Sequence, residues 1–456
     1  MIKKLYSYAG LIMLFALLSR LFGFFRELQI SYYYGTTLSA DMFYIVSSIP
    51  LVLYTSFAIA YSNAFLPNYH KSKDDEKDSF LFSSTVLIFL ISIIVSMVMF
   101  LFPTFILKTI APGIDKDIIS QYVQAVRIVS IQVFFIGFNG LFNGLLNARG
   151  KYFIPSLFNM LFTLMVTLTL YILHSQTMNI VFWGITVVYV IQFLVQLALI
   201  SKNLLNIDKY RINFSMIKIQ FYETMYIFSG SSLSQVNYFI DRALASTIYI
   251  GALSTVNYVH KLNGFLIGLI GLLISNLLFP IISKKINEID AREINEKNNV
   301  LQNIDKFVYI IMAVIIPITL ILSIFSEEIV SRLFGNGEFS NKDVLNVSEA
   351  FSILILGTGF YILKDLYSYS LYAINKSKIV LMISLCSVLV NIFFNYILVN
   401  NYGVNGLMSA SLISYIVAAS ISLWAINKHN LHLFSVRRHI ILLVSLLVPL
   451  LIGIFL

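Results

Sequence analysis
The feature that most constrains this chain is a succession of apolar runs, each about 20 residues long, with short polar segments between them. As a helix, a run of that length matches the ~30 Å hydrocarbon core of a bilayer. Inside the core every backbone N–H and C=O needs a partner within the chain, and a helix supplies one locally. Thirteen such spans are predicted, at about 7–32, 39–66, 80–106, 122–147, 153–173, 180–201, 222–249, 253–282, 306–325, 344–372, 379–399, 405–427 and 439–456. The longest polar loop expected runs from Ser283 to Asp305. The chain is 58% hydrophobic and 12% charged, where a soluble domain would be about 25% charged. The expected fold is therefore an all-α polytopic membrane protein, with no room for a large soluble domain. The first run lacks a small-residue cleavage site and leads straight into another span, so it reads as a retained helix and not a signal peptide.

The net charge of +9 would suit a nucleic-acid binder, but its distribution argues otherwise. Most lysines and arginines fall in one set of alternate loops, among them Lys71, Lys73, Lys77, Lys202, Lys209 and Arg211. The opposite set holds only Lys108, Lys116, Arg332 and Lys342. The positive-inside rule then puts the N-terminus in the cytoplasm, and thirteen spans put the C-terminus outside. The basic excess is a topology signal with some attraction for anionic lipid heads, and no nucleic-acid partner is expected.

A few charges lie within the spans instead. Between Ser19 and Pro67 the chain carries Arg20, Arg26, Glu27 and Asp41 at membrane depth. An ionisable group there costs roughly 2.5–3.5 kcal/mol on insertion scales and marks a functional site by default. Arg20 and Arg26 lie about 120° apart around one helix, so they could line adjacent walls of a wide cavity. Arginine stays charged and presents a bidentate fork, which suits a phosphate-bearing substrate. The bland alternative is a structural ion pair of Arg26 with Glu27 or Asp41. The second half carries Asp241-Arg242 and His260-Lys261. If the first, second, seventh and eighth spans meet at an interface, Arg20, Arg26, Asp41, Arg242 and Lys261 converge there as a substrate-binding set. Asp241 and Arg242 could instead pair locally, and Lys261 could snorkel to the interface. His260 is either structural or a proton relay. Lys364-Asp365 reads as a structural pair, and Arg127 as a snorkelling residue.

The two halves repeat. Arg26 precedes Gly35 by nine residues, as Arg242 precedes Gly251, and Leu-Ser follows each glycine, at Leu38-Ser39 and Leu253-Ser254. Ser62 to Pro67 answers to Ser275 to Pro280. Six spans per half return the chain to the same side, so the repeat is parallel. The expected organisation is an N-terminal lobe over 1–214, a C-terminal lobe over 215–428 and one further helix, or two, over 429–456. The lobes would face each other across a charged central cavity. Gly23, Gly35 and Pro50 punctuate the first two spans, and Gly264, Gly268 and Gly271 give the eighth a small-residue face that permits close packing or bending.

Catalytic signatures are missing. The sequence contains no Walker-type loop, no H-E-x-x-H and no cysteine cluster, and its one cysteine, Cys386, sits in an apolar run. A transporter is expected rather than an enzyme, with no metal and no cofactor, driven by an ion gradient or the membrane potential.

The residues Ser19-Arg20-Leu21-Phe22-Gly23-Phe24-Phe25-Arg26-Glu27, Gly35, Ala40-Asp41-Met42-Phe43 and Ala64-Phe65-Leu66-Pro67 together resemble the start of the MurJ/MviN family. Those are lipid II flippases of the multidrug/oligosaccharidyl-lipid/polysaccharide exporter superfamily. Ala111-Pro112-Gly113, Leu146-Asn147-Ala148, Tyr258 to Leu262 and Leu333 to Phe339 extend the likeness through the twelfth span. The resemblance implies a two-lobed fold in the bacterial inner membrane, with a cationic cavity that alternates access. The cargo would be a polyprenyl-pyrophosphate-linked glycan, lipid II first, and the partners would be membrane lipids and proteins of cell-wall synthesis. Arg20, Arg26 and Asp41 match family functional positions, and Lys261 stands where the family usually has arginine. Two departures are visible. Pro50 to Thr55 is neutral where the family usually carries an arginine, and one span follows the twelfth where it usually has two. Both also fit a flippase for a capsule or exopolysaccharide unit. A cation-coupled multidrug antiporter, which would favour acidic cavity residues, and a non-transporting scaffold of cell-wall synthesis are the other readings.

Overall fold
The computed structural model describes residues 2–73, 76–201, 212–231, 233–273, 294–373, 376–428, 441 and 445–446. Nearly all of the thirteenth predicted span, the Ser275–Pro280 half of one repeat match and much of the basic loop after it lie outside the described residues. Every regular element among those described is helical. In order they are α1 (Ile2–Tyr34), α2 (Leu38–Pro50), a π-helical turn (Leu51–Thr55), α3 (Ser56–Lys71), α4 (Lys77–Leu101), α5 (Pro103–Ile110), α6 (Lys116–Ala148), α7 (Phe153–Leu173), α8 (Met178–Ser201), α9 (Phe214–Ser231), α10 (Leu233–Ala245), α11 (Ala252–Leu273), α12 (Ile294–Ile324), α13 (Ser326–Phe334), α14 (Asn341–Ala373) and α15 (Ser377–Lys428). Six of these, α4, α6, α7, α8, α14 and α15, are long and apolar enough to cross a membrane. The chain divides into two compact units, Met1–Gln235 and Val236–Leu456.

The first unit is built on α6, which packs on α2, α3, α4 and α8. Its glycines make the approach possible. A Cβ on Gly140 would lie 2.5 Å from the Ala58 carbonyl oxygen, and one on Gly137 would lie 2.2 Å from Ser92 Oγ. A Cβ on Gly144 would lie 3.2 Å from both the Phe65 side chain and the Ser62 carbonyl oxygen. The three share one face of α6 and let α3 and the π turn pack against it. Tyr54, Tyr61 and Phe65 fill the contact, with the Tyr54 hydroxyl and Ser92 Oγ at 2.6 Å and Tyr61 donating to the Ser84 carbonyl at 2.6 Å. The π turn follows Pro50 directly. Proline has no N–H to donate and its ring crowds the carbonyl four residues back, so the helix widens there and does not break. The single second span expected from the sequence is thus two α-helical pieces joined by a widened turn.

The second unit is built the same way around α14, which packs on α11, α12, α13 and α15. Its core runs through Met312 and Ile315 of α12, Phe360, Leu363 and Tyr367 of α14, and Ala418 and Leu423 of α15. Two short helices that the sequence reading did not separate, α5 and α13, occupy like places, each just before the long central helix. The α12–α13 joint is bent by 71°. The polar stretch expected as loop to Asp305 is already helical from Ile294. The predicted spans 379–399 and 405–427 appear as α15, broken at Gly403 (φ 52°, ψ −129°). Asn391 Nδ2 donates to Ser411 Oγ at 3.2 Å across that break. A straight helix would put these residues about 30 Å apart, so α15 folds back on itself as a hairpin. At its turn a Cβ on Gly406 would lie 2.5 Å from the Leu398 carbonyl oxygen.

Large apolar side chains stay exposed on the outer helices, among them Ile94 (60%), Met97 (59%), Ile172 (67%) and Leu389 (65%). In water such a surface would aggregate; against lipid tails it is matched. Gly264 and Gly271 of α11 behave unlike the glycines of α6. A Cβ on either meets no described atom within 4 Å. Close packing among the described residues does not explain them.

Candidate functional site
The two glycines of the sequence repeat both sit in left-handed backbone, Gly35 at φ 54° and Gly251 at φ 101°. Only glycine takes these angles without strain. Each ends a helix and starts the next, so each unit carries a helical hairpin: α1–α2 in the first and α10–α11 in the second. The in-span charges lie on these hairpins.

In the first unit Arg26 donates from Nη2 to Glu27 Oε1 at 2.8 Å, and the Tyr44 hydroxyl of α2 donates to Glu27 Oε2 at 2.8 Å. Glu27 is 2% exposed, so both oxygens of a buried carboxylate are held. The Arg26 side chain keeps 27% of its surface and has further donors. Arg20 lies six residues before it, about 1.7 helical turns, partly buried, with no hydrogen bond or ion pair to any described residue. Ser19 beside it bonds to Thr163 of α7 at 3.0 Å, and Thr167 donates to the Phe22 carbonyl at 3.0 Å. A polar seam thus fixes the rotation of α1 around Arg20. Asp41 is buried in the first turn of α2, where a negative charge favours the helix dipole.

In the second unit Asp241 is 3% exposed and accepts from Asn395 Nδ2 of α15 at 2.7 Å. Asn395 also donates to Asn391 Oδ1 at 3.1 Å. His260 Nε2 of α11 lies 3.7 Å from Asp241 Oδ2, too long for a hydrogen bond. Arg242 donates to Asn257 Oδ1 of α11 at 2.8 Å. Lys261 sits half-buried on α11 beside His260. Lys364 and Asp365 are in contact at 2.6 Å, with the Lys364 ammonium 4.6 Å from the Tyr361 ring centroid. Arg127 is exposed and lies over the Phe100 ring at 5.5 Å.

The structure therefore groups Arg26 with Glu27 and Tyr44, and Asp241 with Asn395 and His260. Sequence reasoning missed Tyr44, Asn257 and Asn395. The available signal was the adjacency Arg26-Glu27 and Asp241-Arg242, a carboxylate beside an arginine on the helix before each repeat glycine. No spacing rule connects those carboxylates to a tyrosine 17 residues on or an asparagine 154 residues on. Among the described residues no group of three or more His, Cys, Asp or Glu side chains could hold a metal ion.

Helical units of this kind, with exposed apolar faces and charged hairpins, have counterparts among solved transporters. An inward-closed lipid II flippase MurJ superposes with a TM-score of 0.81 at 23% identity, covering 98% of this chain and 96% of that one. An inward-facing multidrug resistance MATE family transporter of the MOP superfamily superposes with a TM-score of 0.71 at 15% identity, covering 91% and 95%. The fold is that of a polytopic helical membrane protein. Within that class the sequence is more specific. The family model described as lipid II flippase MurJ matches residues 30–455. The probable lipid II flippase MurJ of Aquifex aeolicus is 28% identical over 409 residues, 87% of this chain and 79% of that one. That of Borreliella burgdorferi is 25% identical over 458 residues, 96% and 86%. The chain belongs to the lipid II flippase MurJ family, and is a bacterial membrane transporter rather than an enzyme.

Proposed function
We propose that this chain carries lipid II, the polyprenyl-pyrophosphate-linked precursor of peptidoglycan, from the cytoplasmic to the outer leaflet of the inner membrane. The N-terminus is cytoplasmic and thirteen spans cross the bilayer. Two six-helix lobes, 1–214 and 215–428, work by alternating access, with 429–456 as a further helix. Arg20, Arg26, Asp41, Arg242 and Lys261 are the substrate-binding residues, and the cations take the pyrophosphate. No bound cofactor takes part, and an ion gradient or the membrane potential supplies the drive.

One observation carries the reading: Arg20, a partly buried guanidinium on α1 with no described partner. A cation kept there without a counter-ion needs an anion that comes and goes. Arg26 offers donors beyond the one used on Glu27, so the two can clamp one pyrophosphate. A charge-assisted hydrogen bond contributes about 1.5–3 kcal/mol, so Arg20→Ala weakens binding of lipid II to the purified protein by roughly ten- to a hundredfold. Arg26→Ala does the same, and Arg26→Lys recovers only part because the fork is lost. Unchanged binding by folded Arg20→Ala and Arg26→Ala proteins would remove these residues from the site.

A further inference from the structure
The central helix of the second unit, α14, is long and apolar enough to span a membrane, yet one of its sides is polar. Phe360, Leu363 and Tyr367 bury the side that packs into the unit. Tyr361, Lys364, Asp365, Tyr369 and Tyr372 follow one another at intervals of one to four residues along another side, and none of them is fully buried. Tyr415 of α15 stands beside this stripe, its ring edge-on to Tyr361 at 5.2 Å. Lys364 Nζ and Asp365 Oδ1 touch at 2.6 Å, with side chains 20% and 31% exposed. The Lys364 ammonium lies 4.6 Å from the Tyr361 ring centroid, on the side toward the middle of α14. It therefore does not snorkel toward the nearer helix end at Ala373. The Tyr369 and Tyr372 rings lie 6.4 Å apart, and both are within electrostatic reach of Lys364 and Asp365. The hydroxyls of Tyr361, Tyr372 and Tyr415 make no hydrogen bond to any described residue.

A face turned to hydrocarbon does not carry a lysine, a carboxylate and open hydroxyls; within a span such groups are kept for a partner or a wet path. A phosphate would call for cations without an acid beside them. Here a donor-only ammonium stands next to an acceptor-only carboxylate, which fits neighbouring hydroxyls or amides, groups that both donate and accept. Tyrosine adds a flat apolar ring with a polar tip, and the C–H face of a sugar packs on such a ring. From Tyr361 to Tyr372 the stripe runs about 16 Å, room for more than one sugar. We infer that this stripe is a glycan subsite. Lys364 donates to the sugar hydroxyls or amides and Asp365 accepts from them, while Tyr361, Tyr369 and Tyr372 carry the rings. Without cargo the lysine and the aspartate satisfy each other, which is the contact observed. The inference rests on the reading of the chain as a flippase for a lipid-linked glycan, and gives the sugar residues of its own beside the arginines proposed for the pyrophosphate. In the proposed topology the stripe runs from the middle of α14 to its cytoplasmic end, the side from which cargo is loaded.

The test measures binding to the full chain in lipid nanodiscs with two probes: lipid II, and the polyprenyl pyrophosphate without its sugars. Lys364→Met and Asp365→Asn should each weaken lipid II binding by about tenfold, the loss of one charge-assisted hydrogen bond, and leave binding of the bare pyrophosphate as in the parent. Arg20→Ala should weaken both. Tyr361→Leu should also act on lipid II alone, and Tyr361→Phe, which keeps the ring, should lose less. Lys364→Met leaves Asp365 without its cation, so if a single variant does not fold, the double variant Lys364→Met/Asp365→Leu, which strands no charge, takes its place. Equal losses for the two probes, or folded variants that bind lipid II as tightly as the parent, overturn the glycan subsite. If the parent binds a capsule-type polyprenyl-pyrophosphate glycan but not lipid II, and the same variants weaken it, the subsite stands and the cargo assignment fails. A parent that binds neither sugar-bearing lipid overturns both.

Discussion

The α1–α2 and α10–α11 hairpins start from the same sequence device and finish differently. Each has an arginine beside a carboxylate, nine residues before a glycine held at positive φ. In the first, the carboxylate is closed: Arg26 and Tyr44 take both oxygens of Glu27. In the second, the arginine turns to Asn257, and Asp241 accepts from Asn395 with His260 at a distance. A repeat therefore preserves the backbone turn while letting each copy choose its own counter-charge. A closed carboxylate locks the hairpin.

The largest effect should come from opening the closed cluster. Arg26→Ala takes the cation away from the buried Glu27 carboxylate, and removing one partner of a buried pair costs about 3–5 kcal/mol. The partial exposure of Arg26 puts this at the lower end. Unfolding free energy in bicelles, measured by steric trapping, reads it, and adding Glu27→Gln should restore much of the loss. Without that rescue, Glu27 is not the reason for the instability. Gly140→Ala comes next, because its Cβ would sit 2.5 Å from the Ala58 carbonyl oxygen. Overpacking of that kind costs about 1–3 kcal/mol and should appear as a lowered melting temperature. Tyr44→Phe removes one hydrogen bond to a buried carboxylate, worth about 1.5–3 kcal/mol for a charged acceptor, and its stability loss should exceed that of His260→Phe. Equal losses would mean the two rings do the same job. Asp241→Asn should cost only about 1 kcal/mol, since the new amide oxygen can still accept from Asn395 and no charge is stranded. The smallest effect has the opposite sign. Gly264→Ala meets no described atom within 4 Å, and the gain in helix propensity is at most about 1 kcal/mol. If it destabilises as much as Gly140→Ala, a neighbour outside the described residues lies against Gly264.

Much of this was legible in the sequence because it depends on local rules. Long apolar runs with few charges can only be membrane helices, and the α7 and α8 boundaries fall within two residues of those read from the pattern. Gly35 and Gly251 stood out as matching points of the repeat, each between two predicted spans, and both take left-handed backbone there. Lys364-Asp365 was readable as a pair because the residues adjoin. The Ser377–Lys428 stretch was legible as two spans, since Gly403 interrupts it.

Three things were decided only by the tertiary structure. The glycines of α6 mattered more than the more conspicuous ones of α11, because a glycine's value depends on what stands opposite it, and nothing in the sequence says that Ala58 comes within contact of Gly140. The turn after Pro50 became π-helical because the backbone lost a donor there while the packing of Tyr54 against Ser92 kept the chain on course. The partners of the in-span charges were set the same way. Whether an arginine in a span pairs with its neighbour, as Arg26 does, or reaches an asparagine on the next helix, as Arg242 does, depends on which helix faces it. The sequence determines that a charge lies at membrane depth; helix rotation and packing, which are long-range, determine what neutralises it.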